Sequence, residues 1–352
     1  MGSNGLHANG VVATDGLDPI HVRALRADES ARLGEAIRAA YGDTFDDPWV
    51  YDAHEVAQRI SDGLLVSCIA ESENGRLLCH GAMSFRHPHD QVGHVGQAVT
   101  VPDARGQHLY TSVKRHLVYL AKKRGLAGLY SETTAAHPYS QMANIELGAH
   151  ETGFLLGWIP ATVDNNAAES EAHRRRAAAL FYLRTNAKPA RLVFAPPRHR
   201  DIIQRIIGTC RLHARLAEPT SRQRLEQRSK LHTHQDRTHN LVVVNVTEPG
   251  ADLTTALSDV RARVFDAGFE ALYVDLPLEL AATAQVADHL EALGVSFAGI
   301  FPNSREHGDV LRLQTLNGVR VTAEDVAVAS DHGRELLDYV LADLSATGHA
   351  VA

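Results

Sequence analysis

The feature that most constrains this chain is a pattern that occurs twice. GLAGLYSE at residues 125–132 matches GFEALYVD at 268–275, and Leu147-Gly148 matches Leu293-Gly294. Gly157-Trp158-Ile159-Pro160 matches Gly299-Ile300-Phe301-Pro302. The matches fall in one order at nearly constant spacing, which one α+β unit used twice explains. A length of 352 residues suits two domains of ordinary size. The expected division is an N-terminal arm over 1–20, a first domain over 21–187 and a second over 188–352.

Composition narrows the function classes. With 44% hydrophobic and 22% charged residues the chain has enough apolar surface for real cores. A net charge of −7 argues against a dedicated nucleic-acid binder, and 6% aromatics against a base-stacking platform. No apolar run is long enough to span a membrane. The arm MGSNGLHANGVVATDG is polar and Gly-rich, and reads as disordered rather than as a signal peptide. Cys68, Cys79 and Cys210 form neither a disulfide framework nor a zinc spacing, so a reducing cytoplasm is expected.

Periodicity places a helix over 27–40 with Asp28 as N-cap, and a second over 53–61. Two alternating strands flank Asn74-Gly75, a strong hairpin signal. A loop with His87, His89, Asp90 and His94 precedes the strand VGQAVTV. Its histidines lack the regular spacing of a zinc site, and no metal is expected. A long amphipathic helix then runs to about Arg124, followed by the strand LAGLYSET, a helix over 140–147, and the strands GFLLGWIPA and AALFYLRT. The second half repeats this more loosely and ends in a helix over 323–344. Residues 198–237 carry ten Lys or Arg against four Asp or Glu. They read as a solvated connecting surface or as a landing site for an acidic partner.

The stretch that carries chemistry is AVTVPDARGQHLYTSV, residues 98–113. A strand ends, turns through Pro102 and Gly106, and feeds a helix with no acid in its first turn. Free amides, the positive helix pole and the Thr111 hydroxyl suit an anion such as a pyrophosphate.

The V-P-x-x-R-G run before an amphipathic helix resembles the GNAT-type N-acyltransferases. So do AYGDTFDDPWVYD after the first helix and LYSETT…LGAHETGFLLGWIP after the motif; the resemblance covers about 22–185. It implies an α+β chain of two tandem GNAT-like domains, each a mixed, mostly antiparallel sheet flanked by helices. LLGWIP and FAPPRHRDII are similar to bacterial tandem acetyltransferases of that superfamily. The implied donor is acetyl-CoA or another acyl-CoA, bound by Val99, Val101, Arg105, Gly106, Gln107, His108, Leu109, Tyr110, Thr111 and Asn144. His108 and Tyr110 stand where the family pattern has Gly and Gly/Ala. His108 either crowds the pyrophosphate or donates a hydrogen bond to it. Phosphopantetheine on an acyl carrier protein is a second donor that fits this departure.

An amide between Val99 and Val101 would polarise the thioester carbonyl. The family's Tyr acid falls at Asn144, which cannot serve; Tyr139, Ser140 or His137 could substitute. Glu132 and His94 are the candidate bases. In the second copy Glu248 and Asp252 stand where phosphate would bind and repel it, so that copy is expected to frame the acceptor pocket or an interface. The reading is a cytoplasmic acyltransferase acting on a small-molecule amine, with a dimer among the allowed states. A non-catalytic ligand sensor is the rival.

Overall fold

A computed structural model describes residues 10–12, 20–45, 47–161, 175–217, 224–305 and 308–348. The described chain packs as two compact units, one up to Ser131 and one from Glu132 onward. Each is taken by itself.

The first unit is a sheet in the order β1 (Gly10–Val12), β2 (Ile20–Ala24), β3 (Leu65–Glu71), β4 (Leu77–Ser84), β5 (Val92–Thr100) and β6 (Gly128–Thr134), the last crossing into the second unit. All pairings are antiparallel except β5 with β6. Most of the expected disordered arm lies outside the described residues. Gly10, Val11 and Val12 depart from that expectation by pairing with Val22, His21 and Ile20, because the edge of β2 offers unpaired backbone groups. The hairpin closes at Asn74-Gly75, where Gly75 takes a φ of 78°.

Helices α1 (Ala31–Tyr41) and α2 (Ala53–Ser61) bury Leu33, Ile37 and Val56 with Leu65, Ile69, Ala82 and Val99 of the sheet. Asp52 caps α2 by accepting from His54 N and Glu55 N. The expected Asp28 cap of α1 is corrected: residues 27–29 form a separate 3-10 turn. Glu29, tied to Arg23 and Arg32, accepts from Arg26 N, so the α-helix starts later. Helix α3 (Leu109–Lys123) lies against β3 and β4.

The second unit contains α4 (Tyr139–Glu146), β7 (His150–Ile159), β8 (Arg176–Arg184), β9 (Arg191–Val193), α5 (Arg200–Thr209), β10 (Ala214–Leu216), β11 (Lys230–Asp236), β12 (Leu241–Glu248), α6 (Leu253–Asp266), β13 (Ala271–Pro277), α7 (Ala281–Val286), β14 (Ser296–Arg305), β15 (Gly308–Leu316) and α8 (Asp331–Ala346). Its sheet runs β8-β7-β14-β15-β13-β12-β11, with only β12 and β13 parallel. β9 and β10 form a separate parallel pair. The last helix begins later than its periodicity suggests. Thr322 and Asp325 close a 3-10 turn of their own, and Ser330 caps α8 by accepting from Gly333 N. In the basic segment, Arg198 pairs with Glu291 and Asp343, Arg205 with Glu335 and Lys230 with Glu248, so these cations are neutralised within the unit.

The repeat is visible in backbone detail. β5 and β6 begin in the register Val92↔Gly128, and β12 and β13 in the register Leu241↔Ala271. Entering these strands, Ala127 N donates to Gln91 O and Glu270 N to Asn240 O. α3 ends with Gly125 at φ 75° and a Leu126 N to Ala121 O bond; α6 ends with Gly268 at φ 83° and a Phe269 N to Val264 O bond. A spacing of 146 residues relates Gly148 to Gly294, and it also relates β7 to β14 from end to end.

The structure therefore shifts one of the matches read from sequence. Gly299 is the equivalent of Gly153, not of Gly157, whose φ of 66° lies where the β7–β8 register slips. Gly153 and Gly299 face each other across β7 and β14. A Cβ on Gly153 would lie 2.3 Å from Ala298 O, and one on Gly299 would lie 2.6 Å from Gly153 Cα. Only glycine allows that approach.

Candidate functional site

The site in the first unit is built on an interruption of β5. His80 stands opposite Val99 and Ala82 opposite Gly96, so β5 carries one extra residue around Gln97 and Ala98. That is a β-bulge, and Gln97 takes a left-handed φ of 47°. Three side chains hold it. His80 Nδ1 donates to Gln97 O at 2.7 Å, Tyr41 OH to Ala98 O at 3.2 Å, and Gln97 Nε2 to Asp47 Oδ2 at 2.6 Å.

His80 is fully buried, and burial pushes its pKa down to about 4, so the ring is neutral. A carbonyl can only accept, which places the proton on Nδ1. Nε2 then accepts from Ser67 Oγ at 2.6 Å. None of these residues has a stated role in the sequence reading, although Tyr41 and Asp47 lie in the segment that carries the family resemblance.

β5 and β6 pair at Val92, Gly93 and His94 and then separate. His94 is the last paired residue, its ring 5.0 Å from that of Tyr130. Beyond the bulge, Val101 N donates to Leu78 O on β4, and Val99 stands opposite His80 in the same ladder. Alternation in an antiparallel ladder then turns the N–H of Thr100, opposite Cys79, away from β4 and toward the side where β6 has left. The free amide expected between Val99 and Val101 is thus that of Thr100. Val101 N–H is occupied, and the Val99 side chain is buried in the core.

The strand runs directly into the turn. Asp103 pairs with Arg76 at 2.7 Å, Gly106 takes a φ of 81°, and His108 takes φ 56° and ψ 21° as N-cap of α3. Arg105, Gly106 and His108 are exposed, and Gln107 is half-buried. No side chain caps α3, and Leu109 N, Tyr110 N and Thr111 N have no acceptor within the helix, whereas Ser112 N reaches His108 O. Leu109 and Thr111 are buried.

The left-handed conformation supplies a second physical reason for Gly at the His108 position. Tyr110, at the next motif position, packs over Gly81 of β4, where a Cβ would stand 3.3 Å from Tyr110 Cε2. Burial raises the Tyr110 phenol above its ordinary range. One turn on, burial lowers the Lys114 ammonium to about 7. Its place on the apolar stripe with Val113 and Leu117 was the readable signal.

The remaining candidates belong to the second unit. Glu132 is half-buried on β6, and its charge adds to the negative field around Arg312. Asn144 is buried, with Nδ2 donating to Thr133 Oγ1 at 3.1 Å and to Ser140 O at 3.0 Å. Tyr139 is 74% exposed at the start of α4, its ring 5.1 Å from that of His137. Gln141, missed in the sequence, is fully buried and fastens Ala327 O and Ala329 N. In the first unit, Asp90 closes its loop by accepting from Arg86 N and His87 N. Among the described residues no three His, Cys, Asp or Glu side chains are grouped to hold a metal ion. No described helix is long and apolar enough to cross a membrane.

The equivalent turn of the second copy is covered by its own chain. Asp252 at the start of α6 accepts from Ser229 N at 2.7 Å and Ser229 Oγ at 2.8 Å; Ala251 N donates to Glu226 O. A Cβ on Gly250 would lie 2.6 Å from the Arg228 carbonyl carbon. Glu248 pairs with Lys230.

No family model and no curated protein matches the chain. Solved structures similar to about half of it are N-acetyltransferases. A GNAT-superfamily phosphinothricin acetyltransferase from Sinorhizobium meliloti, in complex with acetyl-CoA, is 17% identical, with a TM-score of 0.39 over 48% of this chain and 92% of its own. The ribosomal-protein-S18-alanine N-acetyltransferase of Escherichia coli is 16% identical, with a TM-score of 0.37 over 48% and 96%. A spermidine N-acetyltransferase chimera that includes the Vibrio cholerae enzyme is 13% identical, with a TM-score of 0.38 over 47% and 95%.

Proposed function

We propose that the chain is an N-acyltransferase that moves an acetyl group from coenzyme A to a small-molecule amine by direct attack. The observation that carries this reading is the sequence of features along β5: a bulge, an unpaired edge with an outward amide, then an exposed anion turn at an uncapped helix start. A thioester laid along that edge would present its carbonyl oxygen to Thr100 N–H. Its pyrophosphate would meet the amides of Leu109, Tyr110 and Thr111, with Arg105, Gly106, Gln107 and His108 around it.

The amine nitrogen attacks the carbonyl carbon, the C–S bond breaks, and the thiolate leaves with a proton. His94, where β5 and β6 separate, is the base assigned within this unit. Glu132 is the other candidate base, Tyr139 and Ser140 are candidates for the acid in place of the family's Tyr, and Asn144 is a candidate donor contact. The second copy, its turn covered, does not bind donor.

Phosphopantetheine on an acyl carrier protein is the second reading, favoured by the exposed His108 side chain where the family has none. Calorimetry with acetyl-CoA, coupled to thiol release with a panel of amines, tests the first. The carrier reading takes over if millimolar acetyl-CoA neither binds nor reacts while a pantetheinylated carrier does. Binding of either donor without turnover on any amine identifies a sensor.

A further inference from the structure

We propose that His80 is a positioning residue for the donor strand: its Nδ1–H, aimed by the Ser67 hydroxyl, holds Gln97 in the bulge and so keeps Thr100 N–H facing the thioester. The inference rests on the acyl-donor reading above, but its structural half stands on the free protein.

The argument is one of parity. Without the extra residue at Gln97 and Ala98, the β4 register on either side would be continuous, and every amide beyond it would change sides. Thr100 N–H would then point into the β4 ladder. The bulge survives only if its left-handed Gln97 is held, because a non-glycine residue there is strained.

The carbonyls of both bulged residues are tied by side chains from other elements, Gln97 O by His80 of β4 and Ala98 O by Tyr41 of α1. Of these two bonds the His80 one is shorter, and His80 is fully buried. Ser67, itself buried on β3, satisfies Nε2 by donating to it and so orients the ring. If Ser67 Oγ is removed, the buried Nε2 is left without a donor and the ring loses the contact that aims it. The chain Ser67–His80–Gln97 therefore links three adjacent strands to the orientation of one amide.

The test compares His80→Leu, His80→Asn and Ser67→Ala with the wild-type chain. Asn is the conservative variant, since its Nδ2 reaches the place of Nδ1. The first readout is amide exchange at residues 97–100 of the free protein; the second is kcat and KM with acetyl-CoA and a reactive amine. His80→Leu is expected to speed exchange at least tenfold and to lower kcat at least tenfold, with acetyl-CoA affinity changed less than threefold. His80→Asn is expected to restore both within threefold, and Ser67→Ala to fall between.

Wild-type exchange in His80→Leu, or a His80→Asn variant no better than His80→Leu, overturns the proposal. If His80→Leu does not fold, the Asn and Ser67→Ala variants decide it: near-wild-type behaviour of Asn with a loss in Ser67→Ala supports it, and the reverse order refutes it. A wild-type chain inert toward acetyl-CoA defeats the donor reading. The exchange contrast then still reports whether His80 holds the bulge.

Discussion

β5 with β6 and β12 with β13 start in the same register and then diverge. The first pair separates after three residues, at His94 and Tyr130; the second continues through five, to Asn245 and Asp275. β5 and β12 each carry one extra residue against the antiparallel neighbour, at Gln97–Ala98 and at Thr247, but a bulged residue takes a left-handed φ in β5 and none does in β12. The helix after β5 begins uncapped, and the helix after β12 begins under Ser229 and Glu226. At the fifth pair the second copy places Asp275, which binds Arg312 through both oxygens at 2.7 and 2.8 Å. The Arg312 guanidinium lies 4.2 Å from the Phe301 ring centroid. One backbone template thus gives an open strand edge or a filled one. The two differ in the left-handed Gln97 and in what covers the helix start.

Breaking the filled side should have the largest effect. Asp275→Ala leaves the buried Arg312 charge without its partner, and a loss of about 3–5 kcal/mol in urea unfolding is expected. Asp275→Leu with Arg312→Met should recover most of it. A single variant as stable as the wild type would show that the pair does not hold the second copy closed.

On the open side, pH reads the His80 lock. The folded pKa of about 4 lies below the ordinary 6.5, so the folded state binds fewer protons between these values. Stability is complete above pH 6.5 and falls as pH drops toward 4, by about 3 kcal/mol for this group. His199 is also pushed down to about 4 by burial, so the measurement is the difference between wild type and His80→Asn. Parallel stability curves for the two proteins would remove His80 from the account.

Next in size is the turn proposed to bind donor. Arg105→Ala is expected to weaken acetyl-CoA binding by about 1–3 kcal/mol, and the wild type to bind one equivalent per chain. Two equivalents would mean that the covered turn of α6 opens in solution.

The smallest change sharpens the comparison at a single residue. His108→Gly removes a side chain from a left-handed position and should raise the unfolding free energy measured in urea by about 0.5–1 kcal/mol. A drop would show that the imidazole makes a compensating contact. The same variant separates the two ways His108 could treat a pyrophosphate. Tighter acetyl-CoA binding means that the ring obstructs it, and weaker binding means that the ring donates to it.

The strand–turn–helix of β5 and α3, the hairpin at Gly75 and the shared helix ends at Gly125 and Gly268 were legible because each has a local cause: a period, a turn residue, a positive φ. The bulge was not. VGQAVTV reads as an unbroken strand, and what bends it comes from His80, Asp47 and Tyr41, which are 17, 50 and 57 residues from their partners on β5. The parity that selects Thr100 was hidden for the same reason. β11 escaped notice because most of its residues are exposed on both faces, leaving no alternation to read. Tyr110 could be placed as a departure from a pattern, but Gly81, which makes room for it, stands in a different strand.

The meeting of Gly153 with Gly299 has a consequence for how the two halves could diverge. They are equivalent residues on antiparallel strands, so the contact maps onto itself when the two repeats are exchanged. In an assembly of identical chains, one codon change at such a place alters both sides at once, and a bulky residue would meet its own image. Within one chain each side is encoded separately. Gly153 and Gly299 are both held to glycine, but a substitution elsewhere in one repeat leaves the other as it was, so one repeat is free to drift toward a filled strand edge while the other stays open.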